Sequence, residues 1–324
     1  MKILITGGAG FIGSHLADRL LLEGHSVVAL DNLSTGAMSN IEHLKDDPRF
    51  RLVIGSVRDA SLVHELVEEC DAIFHLAAAV GVKLILEQPS LSIHTNVNGT
   101  ENVLHAASLR DKLVVIASTS EVYGKTTKTP FSEDDDLLLG STANLRWSYA
   151  IAKALDECLS LSYAHEDKID VIIVRLFNTT GPRQTGYYGM VLPSFVNQAL
   201  QGKPLTVYGT GEQSRCFGHV YDAVEALFRL LGEPKAIGQI FNVGNDQEVT
   251  IQGLAERIKE KTGSDSPIKL IPYSEAYGVG FEDMARRVPD VSKLERYIGF
   301  RPRRSLDEII DDVMVEQKAR LGLA

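Results

Sequence analysis

An α/β fold, a Rossmann-type doubly wound parallel sheet with a smaller C-terminal α/β lobe, is predicted by three observations. The chain opens on an apolar strand that runs into a glycine-rich turn and a helix. Short apolar runs then alternate with helical patterns as far as Phe177. Past Phe177 the alternation breaks into loop residues, short strands and further helices. Strands alternating with helices build βαβ units on a parallel sheet, and the loss of that rhythm marks a second lobe.

The first strand, 2–7, ends in Gly8-Ala-Gly10-Phe-Ile-Gly13, which fits G-x-G-x-x-G. In that pattern early glycines let backbone N–H groups approach a pyrophosphate, and the last lets the helix pack closely on the strand. The helix near 12–23 then turns its positive end to the phosphates. The second strand, 26–31, ends in Asp31, which lies 18 residues after Gly13. A carboxylate roughly 20 residues on binds the ribose hydroxyls of a dinucleotide. Asp31 repels a 2′-phosphate, and Asn32-Leu33-Ser34 offers no arginine to receive one, so NAD is favoured over NADP. Strands follow at 51–55, 72–77, 112–118 and 171–177, with helices near 59–69, 92–109 and 147–166. Trp147 to Tyr163 has helical apolar spacing, whereas Val171-Ile-Ile-Val-Arg-Leu-Phe177 is a buried-strand run. Residues 179–189 are loop chemistry. A helix (192–201), strands (205–208, 239–243) and a helix (251–262) complete the pattern. The expected division is 1–177 for the dinucleotide-binding domain, with a return segment near 217–243, and 178–216 plus 244–324 for the second lobe. Ligands belong in the crevice at the carboxyl ends of the strands.

With 324 residues the chain buries a full core. Lys+Arg 33 against Asp+Glu 43 leaves a formal charge of −10, which opposes binding to nucleic acid or an anionic membrane. The apolar runs are strand-sized, far below the ~18 residues that span a bilayer. Met1 leads directly into the first strand with no signal segment, so a cytoplasmic protein is expected. Cys70, Cys158 and Cys216 are odd in number and far apart, and the nine histidines show no ligand spacing, so neither a disulfide framework nor a metal site is expected. The acidic run 133–136 reads as a solvated loop.

Tyr149-Ala-Ile-Ala-Lys153 puts a phenol and an ammonium on one helical face. The ammonium is expected to lower the tyrosine pKa, giving a base for a sugar hydroxyl while hydride leaves the same carbon. On its own a Tyr-x-x-x-Lys spacing is common on helix surfaces; joined to the glycine turn and Asp31 it reads as chemistry. Thr119-Ser120-Glu121 follows the fifth strand, at the edge facing the crevice, where an acid beside two hydroxyls supplies proton transfers.

These residues resemble the extended short-chain dehydrogenase/reductases that act on nucleotide sugars, and the resemblance covers nearly the whole chain. It implies that Gly7, Gly10, Phe11, Ile12, Gly13, Asp31, Asn32, Val57, Asp59, Leu76, Ala77 and Ala78 line the cofactor, with Asp59 on the adenine and His75-Leu-Ala-Ala78 running along it. Thr119, Tyr149 and Lys153 match the family's catalytic trio. Asn178, Arg183 and Val191 fall in the segments leading to the nucleotide sugar, and Arg215 in the segment whose arginine grips the diphosphate. Within the family, Thr119-Ser120-Glu121-Val-Tyr-Gly124, Arg146-Trp-Ser-Tyr149 and residues 277–290 are similar to UDP-glucuronate decarboxylases and UDP-apiose/xylose synthases. The last stretch supplies an active-site arginine, Arg287 by the match, with Arg286 as rival. Met190 stands where many of these decarboxylases have arginine. Ser120 stands where apiose synthases have cysteine, which argues against ring contraction.

The resemblance implies an NAD-dependent enzyme that oxidises a UDP-sugar at C4 and uses the ketone as an electron sink, with UDP-glucuronate decarboxylation first. A UDP-sugar 4-epimerase is the alternative and a 4,6-dehydratase the third; a non-catalytic NAD-sensing module is set against an intact Tyr149/Lys153 pair. A homodimer through the helices near 92–109 and 147–166 is also implied.

Overall fold

The computed structural model describes residues 1–166, 169–186, 190–277 and 282–323 of the chain. Seven parallel strands form the main sheet: β1 (Lys2–Thr6), β2 (Ser26–Asp31), β3 (Phe50–Ile54), β4 (Ala72–His75), β5 (Leu113–Thr119), β6 (Val171–Leu176) and β11 (Ile240–Val243). Their order is β11-β6-β5-β4-β1-β2-β3, so the winding reverses between β1 and β4. Alternate side chains go to opposite faces. Ile3 and Ile5 pack with α1 (Phe11–Leu22) and α7 (Val220–Leu231), while Leu4 packs with α2 (Ala60–Glu68) and α4 (Pro89–Ser108). Both faces are covered, which is why these strands are apolar runs rather than alternating ones.

Between β4 and α4 lies the short helix α3 (Val82–Glu87), and α5 (Ser148–Glu166) precedes β6. The remaining elements are β7 (Thr179–Thr180), α6 (Val191–Leu200), β8 (Leu205–Tyr208), β9 (Ser214–Cys216), β10 (Gly218–His219), β12 (Glu248–Thr250), α8 (Ile251–Thr262), β13 (Ile268–Ile271), α9 (Tyr273–Tyr277), α10 (Ser292–Ile298) and α11 (Leu306–Leu321). Among them α6, α8 and α11 close a separate core around Phe195, Leu254 and Ile310. One element departs from the expected division. Leu294 of α10 is buried in the main-sheet core with Phe241 and Val243, so this part of 244–324 covers the sheet rather than the second lobe. The cause is β11, a seventh strand at the sheet edge whose apolar face needs a cover.

A fourth cluster, Val122, Tyr123, Phe131, Trp147, Ala150, Phe177 and Met284, ties the two cores together. Trp147 is fully buried and donates from Nε1 to Glu282 at 2.8 Å. Arg146 before it and Tyr149 after it are thereby fixed in place.

Candidate active site

A cleft of about 1580 Å³ opens at the carboxyl ends of β1, β2, β4, β5 and β6, over the point where the winding reverses. At its inner end Gly7 has φ +74°, and a Cβ there would lie 2.9 Å from the Ala77 nitrogen. A Cβ on Gly13 would meet the Gly7 carbonyl oxygen at 2.1 Å, so only glycine lets α1 start this close to β1. Gly10 caps α1 without a side-chain hydrogen bond, leaving the first-turn N–H groups and the positive helix end facing the cleft. This cradle fits the pyrophosphate of a dinucleotide. Phe11, Ile12, Asn32, Val57, Leu76, Ala77 and Ala78 all line it.

Asp31 ends β2 nearly buried, with Oδ2 accepting from the Ala9 N–H at 2.9 Å and Oδ1 from the Leu33 N–H at 2.8 Å. Burial pushes its pKa up and these backbone bonds pull it back. Each carboxylate oxygen retains a lone pair for a ribose hydroxyl. Asp59 is placed differently from the expectation. It is exposed, stands outside the cleft wall and caps α2 through the Leu62 N–H at 3.1 Å, because a helix N-terminus is the strongest local demand on an aspartate.

At the centre, Thr119 closes β5 and its hydroxyl accepts from the Glu121 N–H at 3.2 Å, turning Ser120 and Glu121 into the cleft beside Tyr149. Tyr149 sits in the first turn of α5, with Lys153 one turn on, buried behind it. The phenol differs from the expected depression. The Lys153 ammonium is given to Asp156, Nζ to Oδ2 at 2.7 Å. Burial pushes the Tyr149 pKa up, Glu121 and Asp156 add to it, and only the Thr119 hydroxyl opposes them.

Around Glu121 three guanidiniums converge. Arg146 Nη1 donates to Glu121 Oε2 at 2.5 Å, and Arg287 Nη2 to Oε1 at 2.9 Å. Arg215 Nη2 donates to Asp283 at 2.8 Å, and Tyr273 donates to the same oxygen at 3.2 Å. Burial works against ionising Glu121, but Arg287, Arg146 and Arg215 hold its pKa down to about 2. Three cations against two carboxylates leave an excess of one positive charge. Arg287 is nearly buried, its Nε has no hydrogen-bond partner among the described residues, and its Nη1 reaches Asn178 Oδ1 at 3.4 Å. Its rival Arg286 is exposed and paired to Glu248 at 2.8 Å, and of the two only Arg287 lines the cleft.

Arg183 and Val191 line the same cleft. The Arg183 guanidinium, expected on the substrate, is paired to Asp18 of α1 at 2.8 Å, while its backbone N–H goes to Glu316. Of the expected loop 179–189 and the stretch 277–290, residues 187–189 and 278–281 lie outside the described residues. Sequence reasoning passed over Arg146, Asp283 and Asp156 as site residues. The first two stand inside stretches the resemblance already quotes, so an arginine three residues before the tyrosine was the available signal.

The chain matches the model of the family described as GDP-mannose 4,6 dehydratase over residues 4–313. It is 47% identical to the UDP-N-acetyl-alpha-D-glucosaminuronate decarboxylase of Bacillus cytotoxicus, covering 95% of this chain and 94% of that one. It is 38% identical to UDP-glucuronic acid decarboxylase 1 of Xenopus tropicalis over 95% of this chain and 70% of that one. Among solved structures it resembles the UDP-glucuronic acid 4-epimerase of Bacillus cereus in complex with UDP-glucuronic acid and NAD, with a TM-score of 0.89, 27% identity, and coverage of 99% and 100%.

Proposed function

The chain belongs to the GDP-mannose 4,6 dehydratase family, within the extended short-chain dehydrogenase/reductase fold, and from that membership we propose that it is an NAD-dependent decarboxylase of a UDP-linked hexuronate. The observation that carries the reading is the arginine cluster. Arg146, Arg215 and Arg287 leave a net positive charge on the wall of the cleft, beside the hydroxyls of Thr119 and Tyr149. Guanidiniums lining the cleft with an excess of charge are a receiver for the carboxylate at C6 of such a sugar.

NAD, when bound in the glycine cradle, supplies the hydride acceptor and donor for C4. Tyr149 takes the C4 hydroxyl proton and later returns it, a role that would need the positive charge of bound NAD to bring down a phenol that burial and Glu121 hold up, and Thr119 holds the C4 oxygen. Once C4 is a ketone, the C6 carboxylate is a β-keto acid; carbon dioxide leaves and the enolate is protonated at C5. Glu121 is ionised by its two arginines, so it orders a water or hydroxyl rather than donating a proton itself. Ser120, buried beside it, helps position C5 and C6.

UDP-glucuronate is the first candidate from the sequence motifs, and its 2-acetamido analogue is favoured by the relative at 47% identity. A 4-epimerase reading draws on the Bacillus cereus structure. Incubation of the purified protein with both uronates, followed by mass analysis, separates them. Loss of one carbon dioxide supports decarboxylation, unchanged mass with a new chromatographic peak means epimerisation, and loss of one water means dehydration.

We further propose a homodimer built on α4 and α5. These helices pack side by side and leave Ile93 and Leu155 39% and 46% exposed. The cysteines are free thiols, which accords with a reducing, cytoplasmic location. No helix of the described residues is long and apolar enough to cross a membrane.

A further inference from the structure

Asn40 is a buried amide that the proposed chemistry does not use. It ends a short 3-10 turn, Met38–Asn40, on the wall of the cleft and is only 5% exposed. Ile41 and Leu44, which follow it, pack in the core of the main sheet. Asn40 Nδ2 donates to the Ala9 carbonyl at 3.0 Å. The same carbonyl accepts from the Ala37 N–H at 3.1 Å, so both of its lone pairs are met from the segment after β2. The Ala9 N–H in turn donates to Asp31 Oδ2 at 2.9 Å. One residue of the glycine turn therefore holds the Asp31 carboxylate with its N–H and the segment that follows β2 with its carbonyl. The segment so tied lies flush on the carboxylate. Asp31 Oδ1 accepts from the Leu33 N–H at 2.8 Å, with Leu33 at φ +57°. A Cβ on Gly36 would stand 2.9 Å from both carboxylate oxygens and 3.0 Å from the Ala9 carbonyl carbon. Backbone of residues 9, 33 and 36 thus bounds Asp31, which reaches the cleft beside Asn32, Ser34 and Thr35. Residues 32–40 contain no lysine or arginine.

We propose that Asn40 is a positioning residue that sets the choice of cofactor: by tying residues 32–40 to the glycine turn, it closes the space beside Asp31 that a 2′-phosphate would need. A ribose hydroxyl reaches the carboxylate from the cleft. A phosphate in place of that hydroxyl is bulkier and must push the segment off Ala9, and it finds no cation there to repay the displacement. Exclusion of NADP then has two parts, the charge of Asp31 and the cover that Asn40 holds shut, and either one alone keeps NADP out. This is discrimination by an element set against the wrong ligand, in addition to the contact made with the right one. The proposal depends on the dinucleotide cradle alone, not on which sugar the enzyme takes or what it does to it.

The test is a double-mutant cycle on the full-length protein freed of bound nucleotide, read as calorimetric Kd values for NAD and for NADP, with no turnover involved. Asp31→Asn removes the charge and keeps the shape, and Asn40→Ala unties the segment. In Asp31→Asn, NAD should weaken while NADP stays the poorer ligand, because the cover remains. In Asn40→Ala the charge remains, and the ratio of the two Kd values should stay close to that of the wild type. In the double variant NADP should gain, moving the ratio roughly tenfold beyond the product of the two single changes, within the range found for residues that share a partner. An Asn40 that only supports the fold would instead lower stability and weaken both cofactors alike, leaving the ratio in the double variant at the product of the singles. That additive result overturns the proposal, as does an Asp31→Asn protein that binds NADP as tightly as NAD. If Asn40→Ala does not fold, Asn40→Ser, whose shorter side chain falls out of reach of the Ala9 carbonyl, takes its place in the cycle under the same criteria. Absence of turnover on any UDP-uronate would sink the decarboxylase reading and leave this cycle able to decide the role of Asn40.

Discussion

Arg287 and Glu121 show how one residue is given its role by its neighbours. A carboxylate with two guanidiniums and a pKa near 2 stays charged throughout the physiological range. Because its folded-state value lies below the ordinary glutamate value of 4.5, its contribution to stability is fully present above that value and is lost as pH falls toward about 2. Arg287→Lys keeps a charge but loses the fork that serves Glu121 and a substrate carboxylate together. Turnover on the UDP-uronate should fall roughly 10- to 100-fold, from the ~1.5–3 kcal/mol of a charge-assisted hydrogen bond, while NAD binding is unchanged. Steady-state kinetics on the variant check this, and a silent substitution would remove Arg287 from substrate reading. Asp31 is argued in the same way. With two backbone donors it is held rigid at the end of β2, so Asp31→Ala should weaken NAD and narrow the preference over NADP. Titration of both cofactors by fluorescence measures it, and tighter NADP binding by the wild type would contradict the role.

At the scale of elements, Asp59 separates a cap from a ligand. Its carboxylate receives the Leu62 N–H at the start of α2, and loss of such a cap costs about 1 kcal/mol. Asp59→Ala should therefore lower the stability measured by denaturant unfolding by about that amount and leave the affinity for NAD as it was; a weakened cofactor would restore the adenine role implied by the resemblance. The first six strands and the longer helices α1, α2, α4 and α5 among them were legible in the sequence because each is buried on both faces or on one stripe, which writes an apolar run or a 3.6 period into the chain. The helices α3, α7, α9, α10 and α11, the strand β13 and the two- or three-residue strands were not read. Their positions follow from long-range pairing, as when β10 meets β7 or β12 meets β9, and two residues carry no period. The site divides in the same way. The glycine turn, Asp31 and Tyr149/Lys153 are local spacings. The arginine cluster joins residues 121, 146, 215, 283 and 287, which only the closed fold brings together. The Lys153–Asp156 contact is local, yet at i,i+3 it reads as an ordinary surface pair until its burial is known.

For the whole molecule the formal charge of −10 sets the background. A UDP-uronate carries the same sign, so long-range forces repel it and only the local excess of the arginine cluster draws it in. The proposed dimer answers a different feature of the surface. α4 and α5 have one side on the protein, where Val103, Leu104 and Ala150 are buried, and leave Ile93, Leu155 and Leu161 substantially exposed. Exposed apolar side chains on two adjacent helices are what a second copy, related by a two-fold axis, would cover with the same residues. Tyr149 and Lys153, the proposed proton-handling pair, lie on α5 itself, so the contact that pairs two subunits would also stiffen the helix that carries them. Leu155→Arg places a charge on that exposed apolar surface without touching the cleft. Light scattering after gel filtration should give twice the chain mass for the wild type and one chain mass for the variant, and turnover per chain should fall with the loss of the partner. A wild-type protein that runs as a monomer at working concentrations removes the dimer, and a monomeric variant with full turnover would show that α5 needs no partner to hold Tyr149 in place.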